Sequence, residues 1–149
     1  MKNYLYSLIL LIAICGSGCL GKPKNDVIPQ TVPSGTFKGE FRLLHRKAGA
    51  AKFDTTKANI TLTMTTTPSY IYSLTGDTAT VHAGSHGSFL INSQYMIFTD
   101  ETFPKTGTPT KTHLNGGYLY YYDGSVFQML AYSVDTLSLQ YDLKKQTSN

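Results

Sequence analysis

Histidines are the residues of this chain whose spacing most directly suggests chemistry. His82 and His86 lie four residues apart, and His113 follows in a later polar segment. On a helix, two histidines at positions i and i+4 would face one metal ion. Glycines at positions 84 and 87 predict a loop instead, and in a loop this spacing has little meaning. We therefore expect two exposed loop histidines, with no metal site and no cofactor.

Acidic and serine side chains give little further indication of catalysis. The stretch Gly84-Ser85-His86-Gly87 lacks the strand-to-helix context of a nucleophile elbow. Asp100 and Glu101 are sequence neighbours, so in a strand they point to opposite faces and cannot work as an acid–base pair. A hydrolase that uses His82, His86 or Asp100 at the rim of the domain is the enzymatic alternative. We expect no enzyme and no catalytic residue.

Tyrosine is unusually frequent, with 11 copies in 149 residues. Tyr118, Tyr120 and Tyr122 share one face of a predicted strand, whereas Tyr121 points to the other face. One interpretation is that these rings only cover the wall of a β-domain, since tyrosine suits half-buried strands. The alternative is a tyrosine-lined mouth or outer patch that binds an apolar ligand, a sugar or a protein partner.

The elements that would position these residues are β-strands. Thr136 to Lys144 alternates apolar and polar residues, as do Asn59 to Thr65 and Phe37 to Leu43, where Gly39 allows a bend. No window shows helical periodicity. Further strands are predicted at Tyr70–Thr75, Thr78–His82, Ser88–Ile91, Tyr95–Thr99, Leu119–Tyr122 and Val126–Tyr132.

Turns and loops separate these strands. Thr75 to Asp77 and Asp123-Gly124 are hairpin signals, and Ser133 to Asp135 predicts a turn into the last strand. Longer polar connections run over Lys47–Thr56 and Asp100–Thr112. Eight short antiparallel strands must curl to avoid exposed edges. The predicted fold is all-β: one antiparallel up-and-down β-barrel of about eight strands, over residues 35–149.

This strand pattern, from Gly35-Thr36-Phe37 to Tyr141-Asp142-Leu143, resembles the lipocalin-like small barrels of bacterial lipoproteins. The resemblance implies an interior that holds one small apolar or amphipathic ligand, with a lining that includes Phe41, Leu62, Leu139 and Tyr141. Phe37 stands near the place of the lipocalin tryptophan, and the lipocalin cysteines and C-terminal helix are missing. A specific lipocalin ligand is therefore not implied.

The start of the chain has the form of an export signal. A positive end precedes the apolar run Tyr4 to Ile14, which is too short for a spanning helix. Gly16-Ser17-Gly18-Cys19 resembles the cleavage site of a bacterial lipoprotein, although Gly16 stands where an aliphatic residue is usual. Cys15 is a weaker acceptor because it follows the bulky Ile14. We expect a signal peptide over 1–18, a palmitate-type lipid on Cys19 and a flexible tether over 19–34.

The predicted export of the protein and its scattered net charge limit the classes of partner that it can bind. The net charge of +4 is scattered, so a nucleic-acid partner is not expected. Acylated Cys19 would hold the protein on a lipid bilayer of the cell envelope. Residues 20–24 lack acidic side chains, which favours an outer membrane position facing the periplasm. The predicted function is a non-catalytic binding module for a small apolar or amphipathic ligand. The alternative is an envelope interaction or inhibitor module that uses an exposed tyrosine-rich face or the long loops.

Overall fold

Eight antiparallel strands form a closed barrel in a computed structural model, which describes residues 31–133 and 136–147. Each strand pairs with the next in sequence, and β8 pairs with β1 to close the barrel. The predicted all-β up-and-down barrel is therefore confirmed. The strands are β1 (Gly35–His45), β2 (Asp54–Thr65), β3 (Ile71–Gly76), β4 (Ser85–Ile91), β5 (Tyr95–Asp100), β6 (Gly116–Tyr122), β7 (Val126–Ser133) and β8 (Leu137–Lys145).

The alternation of side chains along each strand separates an apolar interior from an outer surface. In β8, Tyr141 and Leu143 are buried, whereas Asp142 and Lys144 are exposed. Such alternation directs every second side chain inward, as the sequence pattern predicts. The largest fully buried side chains of this interior are five phenylalanines and two tyrosines: Phe37, Phe41, Phe89, Phe98, Phe127, Tyr118 and Tyr141.

Two glycines allow the backbones of paired strands to approach closely. A Cβ atom at Gly39 of β1 would lie 2.0 Å from the carbonyl oxygen of Asp142 on β8. A Cβ atom at Gly87 of β4 would lie 2.0 Å from the carbonyl oxygen of Thr99 on β5. Glycine in a strand often marks such a close approach or a sharp bend of a barrel wall. Gly39 therefore allows the close approach of β8 to β1 at the pairing that closes the barrel.

The two ends of the barrel differ. One end, here called the hairpin end, carries the short connections 66–70, 92–94 and 123–125. Asp123-Gly124 forms the predicted hairpin between β6 and β7, with Gly124 at a φ of 101°. The opposite end, here called the loop end, carries the longer connections 46–53, 77–84 and 101–115. Part of the turn predicted at 133–135 lies outside the described residues.

One predicted strand does not form. Thr78 to Val81 is a turn, which begins after Gly76 at a φ of 123°. His82 makes only an isolated bridge to Thr112 of the other long loop. This segment therefore crosses the loop end of the barrel instead of joining its wall. The glycine at the end of β3 starts that departure, because few other residues adopt this conformation.

The signal peptide, the acylation of Cys19 and the first part of the tether fall outside the described residues. Within residues 31–133 and 136–147, no helix has the length and apolar character needed to cross a membrane.

Candidate functional site

His82 is buried at the loop end of the barrel, so the prediction of an exposed loop histidine is wrong for this residue. Its side chain is fully enclosed, and its ring meets that of Phe41 edge to face. Nδ1 lies 2.6 Å from the carbonyl oxygen of Ala83 and must donate to it. Nε2 therefore carries no proton and accepts the hydroxyl proton of Tyr141 at 2.8 Å. Both ring nitrogens are therefore hydrogen-bonded, Nδ1 within the 77–84 segment and Nε2 to Tyr141 of β8.

Burial favours the neutral forms of this pair. Desolvation lowers the pKa of His82 to about 4, against the smaller opposing effect of its bond to Ala83. Burial also raises the pKa of Tyr141 well above its ordinary value, and raises that of neighbouring Tyr118. Tyr118 Oη has no hydrogen-bond partner of normal geometry in the described part of the chain. At neutral pH these groups are therefore uncharged hydrogen-bonding groups.

Asp100 anchors the second long loop. Its Oδ1 accepts hydrogen bonds from the backbone nitrogen and the hydroxyl of Thr102, at 2.8 and 2.6 Å. Its Oδ2 lies 2.7 Å from Nδ1 of His113, whose side chain is only 10% exposed. Glu101 points away from the core with its side chain 68% exposed, which confirms the opposite orientation of these two neighbours. The Asp100–His113 contact therefore ties both ends of the 101–115 loop together.

Backbone bonds join the two loops across the loop end. The Thr112 nitrogen donates to the carbonyl of Val81 at 2.9 Å, and the Ala83 nitrogen donates to the carbonyl of Thr112 at 2.8 Å. Leu114, two residues after Thr112, is fully buried. Its backbone carbonyl accepts a hydrogen bond from the hydroxyl of Tyr72 at 2.6 Å. The segments 77–84 and 101–115 together close this end of the barrel. We call the three buried or nearly buried side chains His82, Asp100 and His113 the polar plug.

The hydrogen bonds of the polar plug explain how its side chains are held in place, but they do not indicate a reaction. A carboxylate that holds a histidine nitrogen, as Asp100 does for His113, also occurs in catalytic and metal sites. Across residues 31–133 and 136–147, no three histidine or acidic side chains lie close enough to hold a metal ion. His86, expected to be an exposed loop residue, is exposed but lies in β4, 4.0 Å from Glu101. The structure brings His82, Asp100 and His113 to one end of the barrel and leaves His86 outside.

Tyr118, Tyr120 and Tyr122 of β6 do not form the tyrosine-rich outer patch that was the alternative interpretation of their spacing. Tyr118, Tyr120 and Tyr122 share one face, as the alternation predicts, but that face points into the barrel. Tyr118 is 1% exposed, and the other two are half-buried. Tyr122 packs edge to face on Phe37 and Phe127. These three rings are part of the core, because both faces of β6 are apolar and its inner face had to fill the barrel.

The four residues of the predicted interior lining lie inside the barrel, where the two aromatic rings among them contact each other and a neighbouring ring. Phe41, Leu62 and Tyr141 are at most 1% exposed, and Leu139 is half-buried against the core. Phe41 contacts Tyr141 with ring centroids 4.9 Å apart, and Tyr141 contacts Tyr118 at 5.5 Å. Binding of a ligand by these four residues stays a prediction.

A concave site lies on the outside of the barrel wall instead. It spans β6, β7, β8 and β1 and has a volume of about 350 Å³. We call it the outer groove and define it by its seven outward-pointing residues: Arg42, Leu119, Tyr121, Gln128, Leu130, Gln140 and Asp142. Inward-pointing Tyr120, Met129 and Tyr141 lie beneath them.

Strand register arranges the outer groove in two rows. Arg42, Gln140, Leu130 and Leu119 lie directly opposite one another on successive strands. The second row places Asp142, Gln128 and Tyr121 side by side in the same way. Residues directly opposite on paired strands are the closest side-chain neighbours in a sheet. Both rows therefore form continuous strips across the wall.

Hydrogen bonds order the polar half of the outer groove. Arg42 Nη2 donates to Asp142 Oδ2 at 2.7 Å, and Gln128 Nε2 donates to Asp142 Oδ1 at 3.0 Å. Arg42 Nε also lies 3.2 Å from Glu40 Oε1, and Lys57 balances Glu40 from the next strand at 3.1 Å. Because each charge has an opposite partner, the groove has a fixed polar rim without an excess of either sign.

Large apolar side chains continue the surface beyond the outer groove. Tyr95 lies directly opposite Leu119, and Ile97 lies opposite Leu90 on the next strand. Leu90 is 70% exposed, and Tyr95 and Ile97 are 46% and 47% exposed. We call these three residues the apolar flank. Single exposed apolar residues need no explanation, whereas a contiguous group beside a groove is a candidate extension of a binding surface.

Sequence reasoning missed the outer groove because its residues come from four strands. The available signal was the apolar content of both faces of β6, where Leu119 and Tyr121 alternate with three tyrosines. Comparison with known protein families, with curated proteins and with solved structures finds no match to this chain.

Proposed function

We propose that this chain is a non-catalytic binding module, exported and held on the cell envelope through acylated Cys19, whose ligand occupies the outer groove. The export signal and the cysteine that follows small residues support the anchor. The succession of eight neighbouring strands supports a relationship to lipocalin-like barrels. The single observation that carries the binding site is the groove on the wall, with its apolar floor and ordered polar rim.

The volume and composition of the outer groove suit ligand binding. Sites for small ligands are concave, enclose roughly 300–1,000 Å³, and combine apolar lining with a few fixed polar groups. The groove falls at the lower end of that range with about 350 Å³. Leu119 and Leu130 supply half-buried apolar surface, and Tyr121 adds an exposed ring. The bonded pair Arg42–Asp142 supplies polar groups that need no reordering when a ligand arrives.

Binding inside the barrel has less support. A ligand at Phe41, Leu62 or Tyr141 would have to displace aromatic rings that already contact one another. A closely packed protein interior is strained when extra groups are inserted. The outer groove needs no such displacement because it is open to solvent.

Photo-crosslinking of the full chain in its source envelope tests the location. The variant Leu119→p-benzoyl-phenylalanine places a reactive ketone in the outer groove. Ser73→p-benzoyl-phenylalanine is the matched control, because Ser73 is an exposed strand residue on β3, and β3 is four strands from β7 in both directions around the barrel. After illumination, mass spectrometry should find an adduct of defined mass at position 119 and none at position 73. Equal labelling at both positions, or none at either, would rule out a groove site.

A further inference from the structure

The side chains of the outer groove favour some classes of ligand over others. The inference drawn from them rests on the binding function proposed above. We infer that the groove binds a neutral glycan, meaning a short chain of uncharged sugar units. Three observations carry this inference: the area of the groove, its charge balance, and the pairing of amide side chains with an exposed aromatic ring.

The area of the groove is too small for a stable protein partner. Its first row crosses four strands, which is roughly 14 Å at about 4.8 Å per strand, and its second row crosses three of them about 7 Å away along the strands. The apolar flank adds two strands on one side. The outer groove and the apolar flank together comprise ten residues, whereas a stable protein interface uses roughly 20–30 residues on each side. A second copy of this chain or a folded protein would need a larger surface.

The charge balance argues against an ionic ligand. Arg42 and Asp142 are the charged members of the outer groove, and they neutralise each other at 2.7 Å. Glu40, beside them, is shared by Arg42 and Lys57. An anion would have to compete with Asp142 for the guanidinium, and a cation would have to compete with Arg42 for the carboxylate. A ligand without charge meets no such competition.

Gln128 and Gln140 provide the hydrogen bonds that sugar hydroxyls need. Gln128 donates to Asp142, and Gln140 makes a long bond of 3.5 Å to Ser138. Neither amide oxygen has a hydrogen-bond partner in the described part of the chain, so both can accept. Amide groups also donate, and a hydroxyl both donates and accepts, so each amide can bond a sugar hydroxyl in either direction.

Tyr121 and the leucines provide the matching apolar surface. The Tyr121 side chain is 56% exposed beside Gln128, and Leu119 and Leu130 lie in the adjacent row. Sugar rings have apolar C–H faces with hydroxyls around their edges. A flat, amphipathic tyrosine ring can cover such a face while the neighbouring amides reach the edge. The shallow, solvent-facing shape of the groove allows a chain of sugar units to enter from the side.

Saturation-transfer NMR on the full chain in lipid nanodiscs tests the ligand class. The probes are maltotriose, cellotriose and tri-N-acetylchitotriose, each at millimolar concentration, the range of weak single-site binding. At least one trisaccharide should receive saturation from the wild-type protein. The double variant Gln128→Ala/Gln140→Ala should weaken its affinity about tenfold or more, since each lost bond is worth roughly 1 kcal/mol. Ser73→Ala should bind as the wild type does, and circular dichroism should show that all three proteins are folded.

The possible failures are distinguishable. If no trisaccharide binds while Leu119→p-benzoyl-phenylalanine still captures a non-sugar molecule, the glycan inference is wrong and the binding function stands. Trisaccharide binding that the double glutamine variant leaves unchanged would also overturn the inference. If there is neither trisaccharide binding nor an adduct at position 119, both proposals fail.

Discussion

Tyr141 donates its hydroxyl proton to Nε2 of His82 across 2.8 Å, and so joins the last strand of the barrel to the segment that closes the loop end. Both partners are at most 1% exposed. A buried hydrogen bond of this kind contributes modestly when made, but a buried group left without its partner costs about 1–3 kcal/mol.

Removing one hydroxyl should therefore destabilise the barrel, whereas removing its neighbour should not. Tyr141→Phe leaves Nε2 of His82 without a donor and should lower the free energy of unfolding by about 1–3 kcal/mol. Tyr118→Phe removes a buried hydroxyl that has no partner of normal geometry among the described residues, so it should be neutral or slightly stabilising. Urea denaturation of both variants measures the difference. Equal losses would contradict the assigned bond.

The buried state of His82 should make stability depend on pH in a specific window. Burial lowers the pKa of His82 from 6.5 to about 4. Between these values the unfolded chain binds a proton that the folded chain does not, so stability rises with pH in this range. The contribution is complete above pH 6.5 and is lost as the pH falls toward 4. Its full size is about 3 kcal/mol, at 1.36 kcal/mol per pKa unit.

The variant His82→Gln isolates this contribution. It retains the neighbouring Asp100, His113 and Tyr141, so the two proteins differ only at position 82. Denaturation at a series of pH values should give a wild-type curve that falls more steeply than the variant curve between pH 6.5 and 4. Parallel curves would show that His82 titrates normally in the folded protein.

Asp100 and Glu101 offer a matched pair of neighbouring carboxylates. Asp100→Asn should loosen the 101–115 loop, because it removes the charge from a carboxylate that accepts three hydrogen bonds. The expected loss is about 1.5–3 kcal/mol. Glu101→Gln, on an exposed side chain, should change stability by no more than about 0.5 kcal/mol. Amide hydrogen exchange at Ala83 and Thr112 reports the loosening, and unchanged protection in Asp100→Asn would refute this role.

Gly39 should be intolerant of a side chain, because the carbonyl of Asp142 occupies the position of its Cβ atom. Gly39→Ala must push β1 away from β8 and should destabilise the barrel by about 1–3 kcal/mol or more. Gly117→Ala is the control, since a Cβ atom there would meet nothing within 4 Å. That change should be neutral or stabilising by up to about 1 kcal/mol. Thermal unfolding compares the two, and a tolerated Gly39→Ala would mean that β1 and β8 are farther apart.

The sequence predicts the wall of the barrel better than its ends or its outer surface. Strict alternation in β8 identifies Tyr141 and Leu143 as inward, because polar residues mark the other face. Both faces of β6 are apolar, so alternation places its tyrosines on one face without indicating that this face is the interior. The burial of His82 was not predicted, because it depends on a loop that crosses the end of the barrel. Such long-range placement leaves no periodic pattern.

The outer groove was inaccessible to sequence reasoning for a related reason. Arg42 and Asp142 are 100 positions apart, and they meet only because β8 closes on β1. Register across four strands has to be known before these residues can be recognised as neighbours. The interior positions Phe41 and Leu62 needed only the period of their own strands, and they were correctly placed.

Native mass spectrometry of the full chain, isolated gently from its source envelope, tests the outer-groove site most directly. The wild-type protein should carry a bound small-molecule mass that is lost on denaturation. Leu130→Glu, which places a charge on the apolar floor, should lose that mass, whereas the control Ser73→Glu on the opposite wall should keep it. A bound mass that survives Leu130→Glu, or a wild-type protein without any bound mass, would contradict binding in the outer groove.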